Sequence, residues 1–342
     1  MNCLQYDSIS RFKELVHAAT NVVVVSHTHP DGDALGCVSA MYHYLSHTLG
    51  KEAAVLVERD LSSTLEFILN GVRKTDDISV LEGCDLIIAL DFNCLSRTAE
   101  QFEDPIRQCR APKILIDHHL NPCKEEFDLI FSETAISSAS ELLFWILKKV
   151  QGDTLRGLSK RALTALMCGM TTDTNNFANS VWPSTLEMAS QLLAAGVDRD
   201  DIIRRIFNSY RSNRVKAIGH LLDNHLTING SYAYITVSRE VKKKFGIREG
   251  ELEGLVNIPL SIKKVKVSIT LTEDDGYYRV SLRSKRGIRV NRLAAASFHG
   301  GGHEQASGGR LYIGSDIPSR EVLPAYVEEC TARFLHSEKE RI

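Results

Sequence analysis

Four short apolar runs in the first half of the chain constrain its fold more than any other feature. They cover Val22–Ser26, Lys51–Val57, Asp85–Leu90 and Lys113–Ile116. The runs are rich in β-branched residues and are separated by stretches with helical spacing, which is typical of a parallel sheet covered on both faces. The first half is therefore predicted to be an α/β domain, with further helices over Ser138–Val150 and Ser159–Met170.

The second half has a different pattern. Polar-faced helices are predicted over Ser184–Ala195, Asp201–Phe207 and Asn213–His225. From Ser231 the apolar and polar residues alternate, which indicates a sheet with one solvated face in a smaller α+β domain. Since 342 residues exceed one typical core, three parts are predicted: a parallel-sheet α/β domain over 1–185, a helical connector over 186–229 and the α+β domain over 230–342.

Composition excludes several classes of protein. The net charge of −2 argues against a protein that coats DNA, which would carry a strong basic excess. No apolar run is long enough to cross a membrane, and the first residues lack the pattern of a signal peptide. The eight cysteines are scattered singly, which predicts free thiols in a reducing cytosol and a cytoplasmic protein without a membrane partner.

Carboxylate and imidazole side chains follow the predicted elements at the point where each element ends. In chain order they are His27, Asp31, Asp33, Asp91, Asp117, His118, His119 and Asp173. In open α/β sheets, ligands bind outside the carboxyl ends of the strands. These side chains are therefore expected to converge at one rim of the sheet.

A rim with so many carboxylates predicts bound cations, because the like charges would otherwise repel each other. Carboxylate and imidazole ligands without thiolates suit Mn²⁺, with Mg²⁺, Fe²⁺ or Co²⁺ as alternatives. Two such ions about 3.5–4 Å apart form the usual clamp for phosphoryl transfer. A single aspartate such as Asp33 or Asp117 is more often a turn residue or a helix N-cap, but the full set favours a metal centre.

These residues resemble the motifs of the DHH phosphoesterase family, which is named for the sequence Asp117-His118-His119. HTHPDGDALG, which begins at His27, resembles the first family motif, LDFN the second and TTDT the fourth. GGGHEQASGG, from Gly300 to Gly309, and the preceding VSLRSK resemble a DHHA1 domain. The resemblance spans nearly the whole chain and is greatest to the NrnA-type enzymes, which are cytoplasmic bacterial oligoribonucleases that also act on 3′-phosphoadenosine 5′-phosphate (pAp).

The resemblance implies a role for each matching residue. It assigns one Mn²⁺ to His27 and Asp31, the other to Asp33, His118 and Asp173, and a bridge between the two ions to Asp91. It also implies that His119 donates a hydrogen bond to the scissile phosphate and that Asp117 orients the histidine pair. The sequence departs from the family pattern at Asn175-Asn176, where a glycine is expected first, and at Cys37, where a serine is common.

The glycine-rich motif of the second half is predicted to bind substrate. Gly300, Gly301 and Gly302 would let the backbone approach an anion, and His303 and Arg283 would donate to a phosphate or a base. Five cations lie within the ten residues that begin at Arg283, which favours a phosphate-facing patch. The second domain is expected to close over the metal rim, so that only short single-stranded RNA or a nucleotide fits.

The implied activity is Mn²⁺-dependent hydrolysis of short oligoribonucleotides to mononucleotides and removal of phosphate from pAp. A phosphodiesterase of cyclic di-AMP or of its linear product pApA is an alternative, and so is an exopolyphosphatase or pyrophosphatase. An RNA-binding module without activity is the alternative from another class, although the complete set of predicted ligands argues against it. A homodimer is compatible with the sequence, which leaves the oligomeric state open.

Overall fold

A computed structural model of the chain describes residues 4–59, 61–62, 64–248 and 250–339. The chain separates into two compact units, Met1–Ser209 and Tyr210–Ile342. Within the described residues, each unit has its own six-stranded sheet. The predicted fold class, a parallel-sheet α/β domain followed by a smaller α+β domain, is confirmed.

The sheet of the first unit is parallel throughout its described strands. The strands are β1 (Asn21–Val25), β2 (Glu52–Leu56), β3 (Lys74–Thr75), β4 (Leu86–Leu90), β5 (Lys113–Asp117) and β6 (Leu129–Ser132), in the spatial order β3-β2-β1-β4-β5-β6. The four predicted strands are confirmed. The sequence did not indicate β3 and β6, because two to four residues at the sheet edges are too few to show a pattern.

Helices cover both faces of this sheet. They are α1 (Tyr6–Ala18), α2 (Gly32–His43), α3 (Glu100–Gln108), α4 (Ala139–Val150), α5 (Lys160–Asp173), α6 (Pro183–Ala194) and α7 (Arg199–Phe207). Val22 and Val24 of β1 belong to one buried cluster with residues of α1, α2, α4 and α5, and Val23 and Val25 belong to another with residues of α3. A run of valines is required here because alternate side chains enter two different cores.

The helix predicted to follow the first strand ends earlier than expected. The prediction covered Ala34–Leu49, but α2 ends at His43 and continues as a π-helical turn over Tyr44–Thr48. Tyr44 and Leu45 remain buried in this turn. The apolar pattern therefore continues through the change in helix type, and the sequence did not reveal that change.

The helices of the predicted connector are divided between the two units. The first unit ends at Ser209 and includes α6 and α7, whereas α8 (Ser212–Asn224) belongs to the second unit. The domain limits 1–185, 186–229 and 230–342 stay a prediction, and their outer ends include residues 1–3 and 340–342, which lie outside the described part of the chain.

The sheet of the second unit is mixed. Its strands are β7 (Leu226–Asn229), β8 (Tyr232–Val237), β9 (Val267–Glu273), β10 (Tyr277–Ser284), β11 (Gly301–Gly302) and β12 (Ala306–Tyr312), in the order β11-β12-β10-β9-β8-β7. Only the β8–β9 pairing is parallel among these described strands.

Burial alternates along β10, where Tyr278, Val280 and Leu282 face a core that also contains residues of two helices. Those helices are α10 (Val290–Ser297) and α11 (Leu323–Lys339), and the unit's described part also contains α9 (Arg239–Phe245) beside α8. The predicted one-sided sheet is therefore found in β10. No helix in the described parts of either unit is long and apolar enough to cross a membrane.

The prediction that all cysteines are free thiols is wrong for one pair. Cys94 and Cys123 form a disulfide with Cα atoms 5.1 Å apart. The two cysteines follow the neighbouring strands β4 and β5, so the sheet brings them together across 29 residues of sequence. At the opposite ends of the same strands, the Cys84 and Cys109 sulfurs lie 3.5 Å apart as free thiols.

Candidate active site

The predicted site residues of the first unit meet at one rim of its sheet. Strands β1, β4 and β5 are parallel neighbours, so their carboxyl ends lie at the same edge. His27 follows β1, Asp91 follows β4 directly, and Asp117 is the last residue of β5. The strand order that the sequence did not reveal thus produces the convergence that it predicted.

A first cluster consists of His27, Asp31 and Asp91, whose side-chain ligand atoms lie within 4.8 Å of one another. His27 Nδ1 lies 2.8 Å from the carbonyl oxygen of Thr28, and it would donate its proton there. In the neutral ring, which is the form that binds a cation, Nε2 then carries the lone pair and lies 3.7 Å from Asp91 Oδ2. This tautomer leaves one imidazole lone pair directed at the cluster.

A second cluster consists of Asp33, His118 and Asp173. His118 Nε2 lies 3.9 Å from Asp33 Oδ2 and 3.7 Å from Asp173 Oδ2. It also lies 3.4 Å from Asp91 Oδ1, whereas the other oxygen of Asp91 faces the first cluster. Asp91 therefore offers one carboxylate oxygen to each cluster.

His119 and Asp117 form a pair beside these clusters. His119 Nδ1 lies 2.7 Å from Asp117 Oδ1, and Asp117 is fully buried. The histidine ring is partly exposed, with 24% of its side chain accessible. A buried carboxylate that receives Nδ1–H fixes both the orientation and the tautomer of this ring.

The loop before α2 uses Asp31 as the helix N-cap. Asp31 Oδ1 accepts hydrogen bonds from the backbone N–H groups of Asp33 at 2.9 Å and Ala34 at 3.1 Å. The N-cap interpretation considered for Asp33 thus applies to Asp31 instead. Asp33 lies in the first turn of α2 and is buried, and Asp31 keeps its second oxygen for another interaction.

Close packing of α2 against α5 brings Asp33 near Asp173. Gly36 of α2 lies against the backbone of α5, where a Cβ would approach Ala165 O to 2.7 Å. At Gly169 of α5, a Cβ would lie 2.7 Å from Asp33 Oδ1 and would overlap Ser140 Oγ. Glycine is therefore required at both positions so that the two helices can approach each other.

The backbone of Asp91 has an uncommon conformation. Its φ of 66° lies in the left-handed region, which costs of order 1 kcal/mol or more for a residue other than glycine. The Asp91 N–H donates to the Ile116 carbonyl at 3.0 Å. Asp91 Oδ1 is buried and accepts no well-aligned hydrogen bond from the described residues.

The imidazoles of the two clusters are held in a strongly negative environment. Burial alone would lower the pKa of His27, but Asp91 and Asp31 outweigh burial and raise that pKa to about 9. In the same way, Asp91 and Asp173 raise the pKa of His118 to about 10. Without a cation, both rings are protonated at neutral pH.

The carboxylates respond to burial and to each other. Burial, followed by the charges of Asp91 and Asp173, raises the pKa of Asp33 well above its ordinary value. Burial also raises the pKa of Asp173, to about 6. Burial opposes ionisation of Asp91 as well, but His118 and His27 hold the pKa of Asp91 below its ordinary value. The two clusters therefore contain four carboxyl groups and two imidazoles, and burial opposes ionisation of Asp33, Asp91 and Asp173.

The segment after Asp173 forms a left-handed turn of three residues. Asn175, Asn176 and Phe177 have φ values of 46°, 58° and 66°. Asparagine tolerates this conformation better than most residues, so the asparagines can stand where the family pattern has a glycine. Arg199 hydrogen-bonds Asn176 Oδ1 at 2.5 Å and lies over the Phe177 ring, which fixes the turn.

Two residues that support the rim were missed in the sequence. Glu58 Oε2 accepts Thr28 Oγ1–H at 2.9 Å and the His29 N–H at 2.6 Å, and Asn93 Nδ2 donates to the Leu120 carbonyl at 2.8 Å. Glu58 lies just beyond β2, and its position after a predicted strand could have identified it.

In the second unit, the glycine-rich motif is a tight hairpin. Gly301 and Gly302 pair with β12 as an edge strand, and a Cβ at Gly300 would overlap the carbonyl oxygen of Gly308. At Gly302, with φ of 126°, a Cβ would lie 2.8 Å from Ala306 O. Glycine is therefore required at positions 300 and 302 by backbone contacts within the hairpin, whether or not the loop binds a ligand.

The hairpin ends at His303, whose N–H donates to Ala306 O at 2.9 Å. Arg283 lies on β10, opposite Ala306 of β12 and Ser268 of β9. It is on the half-buried face of β10, away from the apolar core. Ser268 and Thr270 of β9 have buried hydroxyls without a hydrogen-bond partner among the described residues, and no local sequence pattern indicated them.

Two protein families match separate parts of the chain. The DHH family, N-terminal domain, matches residues 21–170, which include every predicted site residue of the first unit except Asp173. The DHHA1 domain matches residues 229–324, which include Arg283 and the glycine-rich hairpin.

Several known proteins are similar to most of this chain. The bifunctional oligoribonuclease and PAP phosphatase NrnA of Bacillus subtilis is 26% identical, covering 85% of this chain and 89% of its own. A probable NrnA of Streptococcus mutans is 28% identical, with coverage of 87% and 91%. The cyclic-di-AMP phosphodiesterase GdpP of Bacillus subtilis is 22% identical over 85% of this chain and 45% of its own length.

A solved structure shares the whole fold. The crystal structure of an exopolyphosphatase-related protein from Bacteroides fragilis is 33% identical and has a TM-score of 0.88, with 98% of each chain covered. The two family matches lie in the expected order: the first contains all described strands of the first sheet, and the second contains β8 to β12 of the second sheet. The chain belongs to the DHH family of phosphoesterases, hydrolases of phosphoester bonds, and has a DHHA1 domain after its DHH domain.

Proposed function

We propose that this protein is a two-metal phosphodiesterase and phosphatase that hydrolyses short oligoribonucleotides to mononucleotides and removes phosphate from pAp. One observation carries the proposal: Asp91 directs its two carboxylate oxygens to two separate clusters, at 3.7 Å from His27 and 3.4 Å from His118. A carboxylate with one oxygen on each cluster can bridge two neighbouring cations, as in the two-metal sites of enzymes that cleave phosphoesters.

The residues fit divalent cations on three grounds. They are carboxylates and imidazoles without a thiolate, which suits Mn²⁺, with Mg²⁺ or Co²⁺ as alternatives. The buried oxygen Asp91 Oδ1 lacks a hydrogen bond among the described residues, and a cation would satisfy it. Burial and like charge raise the pKa of Asp33, and a cation would remove this penalty. His27, Asp31 and Asp91 would hold one ion, and Asp33, His118, Asp173 and Asp91 the other.

When bound, the ions would activate water and neutralise charge on the phosphate oxygens. The protein's own contribution lies in orientation. Asp117 holds His119 Nδ1–H at 2.7 Å, and Nε2 of the partly exposed ring would donate to a phosphate oxygen when it carries a proton. Attack of water on phosphorus breaks the bond to the ester oxygen, which leaves as an alcohol once it takes up the proton that the water releases. His119 stabilises the negative charge that develops on the phosphate oxygens.

The choice of substrate rests on similarity to the NrnA proteins, whose names specify oligoribonucleotides and pAp. In the second unit, Arg283 and His303 are the proposed donors to the phosphate or base of the substrate, together with the backbone of Gly300, Gly301 and Gly302. This assignment is compatible with their position at one end of β10 and in the adjoining hairpin.

The test is a side-by-side assay of the purified protein with Mn²⁺ on a labelled dinucleotide, a 24-mer RNA, pAp, cyclic di-AMP and pyrophosphate. We expect turnover of the dinucleotide and pAp, loss of turnover in EDTA, and recovery with Mn²⁺ rather than Ca²⁺, which prefers oxygen ligands. Full activity in EDTA, with the metal content verified as nil, would exclude the metal centre.

A second candidate is hydrolysis of cyclic di-AMP or of linear pApA, favoured by the similarity to GdpP. A third is polyphosphate or pyrophosphate hydrolysis, favoured by the Bacteroides fragilis structure. The same assay separates them, because cleavage of cyclic di-AMP ahead of the dinucleotide supports the second candidate and cleavage of pyrophosphate alone supports the third. A protein that binds RNA but cleaves none of the five compounds would be a binding module.

A further inference from the structure

The start of α4 holds the Asp33 carboxylate by both of its oxygens. The Ala139 N–H donates to Asp33 Oδ2 at 2.7 Å, and the Ser140 N–H donates to Asp33 Oδ1 at 2.9 Å. These are the first two N–H groups of the helix, which have no partner within it. The positive end of the helix dipole also favours a carboxylate at this point. The orientation of Asp33 therefore depends on where α4 begins.

Two further N–H groups at the helix start are satisfied locally. The Glu141 N–H donates to Ser138 Oγ at 3.0 Å, and the Ser137 N–H donates to Glu141 Oε2 at 3.1 Å. This arrangement resembles a capping box, in which a glutamate in the first turn bonds back to the chain before the helix. Glu141 thereby fixes the segment from which α4 departs.

Glu141 also reaches beyond its own helix. It is fully buried, and it accepts the hydroxyl of Ser137, the hydroxyl of Thr185 at 2.7 Å and the indole N–H of Trp145 at 3.4 Å. Thr185 Oγ1 itself accepts the Trp182 N–H at 3.0 Å, so the Thr185 proton points to Glu141. A glutamate that only caps a helix would not need to be fully buried or to bond Thr185 of α6. Glu141 therefore does more than cap α4.

We propose that Glu141 is a positioning residue for Asp33. Together with Ser137 and Thr185 it forms a clasp, the Glu141 clasp, that fixes the start of α4, and α4 in turn fixes the two oxygens of Asp33. The inference rests on the proposed function, because it assigns Asp33 to a cation. Residues that orient a ligand through hydrogen bonds typically change metal affinity by about 10- to 100-fold when they are replaced.

The experiment uses the metal-free full-length protein and Mn²⁺ alone as the probe. Binding is followed by the electron paramagnetic resonance signal of free Mn²⁺ for the wild type and for Glu141→Gln, Thr185→Val and Thr185→Ser. We expect two sites in the wild type, and in Glu141→Gln and Thr185→Val one of them weakened about 10- to 100-fold. Thr185→Ser keeps the hydroxyl and should retain wild-type affinity at both sites.

Glu273→Gln is the matched control, because Glu273 is also a buried carboxylate but lies in the second unit, where it pairs with Arg320 at 2.7 Å. It should lower the melting temperature without changing Mn²⁺ binding. If Glu141→Gln does not fold, the test relies on Thr185→Val, because this variant removes only the hydrogen bonds of the Thr185 hydroxyl and is expected to fold.

Wild-type affinity at both sites in a folded Thr185→Val, or equal weakening of both sites, would overturn the clasp. A wild type that binds no Mn²⁺ would instead overturn the proposed metal centre.

Discussion

At the scale of single residues, Asp91 is constrained both by the position of its carboxylate and by the conformation of its backbone. Its carboxylate faces both clusters, and its backbone has a φ of 66°. We expect Asp91→Ala to lower kcat on a dinucleotide by about 100-fold or more, the scale of losing a principal electrostatic stabiliser. Asp104→Ala, at an exposed position of α3, should leave kcat unchanged. Similar rates for the two variants would remove Asp91 from the site.

The titration of the histidines predicts how cation binding depends on pH. The pKa of His27 is raised to about 9 and that of His118 to about 10, so both rings are protonated at neutral pH and must lose a proton before they can bind a metal ion. Raising the pH reduces this cost. We expect Mn²⁺ affinity of the metal-free protein to rise by roughly ten- to a hundredfold between pH 7 and pH 8. Isothermal titration in two buffers of different ionisation enthalpy measures the released protons, and a pH-independent affinity would contradict the assignment.

At the scale of elements, the contact between α2 and α5 controls the geometry of the rim. Gly169→Ala would place a methyl group 2.7 Å from Asp33 Oδ1, and overpacking of this kind costs about 1–3 kcal/mol. We expect a lower melting temperature together with weaker Mn²⁺ binding. Gly219→Ala on α8, where a Cβ meets no atom within 4 Å, should instead stabilise the protein by about 0.5–1 kcal/mol. Unchanged Mn²⁺ binding in Gly169→Ala would mean that the helices can separate without moving Asp33.

The disulfide joins two elements that carry the predicted ligands. Cys94 follows the LDFN motif at the end of β4, and Cys123 follows Asp117-His118-His119 at the end of β5. The bond joins two cysteines that are 29 residues apart in the sequence. Its loss should lower the free energy of unfolding by roughly 3–4 kcal/mol. Thermal melts with and without dithiothreitol measure the effect, and the Cys94→Ser/Cys123→Ser variant should no longer respond to the reductant. A wild type that melts identically in both conditions would show that the bond does not contribute.

At the scale of the whole molecule, the sequence predicted where helices and strands occur better than it predicted which of them lie side by side. The valine run and the aspartates after each strand indicated a buried parallel sheet and a rim of ligands, because burial and sheet polarity leave a local pattern. The adjacency of Cys94 and Cys123 depends on the order of strands in space, which no local pattern contains. The contribution of Ala139 and Ser140 to Asp33 comes from backbone N–H groups, which every residue except proline has.

The division into two units predicts two kinds of kinetic defect. We expect Arg283→Ala and His303→Ala to lower kcat/KM on the dinucleotide and pAp by about ten- to a hundredfold, the cost of one charge-assisted contact, mainly through KM. A small chromogenic phosphodiester should be spared, whereas His119→Ala should lower kcat on all three substrates. Arg333→Ala, an exposed residue of α11, is the control. Equal losses on the small ester would assign Arg283 and His303 to the chemistry or to folding.

The two cysteine pairs could report the redox state of the protein's surroundings. β4 and β5 carry a bonded pair at one end and an unbonded pair at the other, so a single chain has both an oxidised and a reduced reporter on the same framework. Alkylation of freshly lysed cells, followed by peptide mass spectrometry, would count blocked and bonded sulfurs at each end. The ratio would report the redox conditions that the protein experiences in the cell at the moment of lysis.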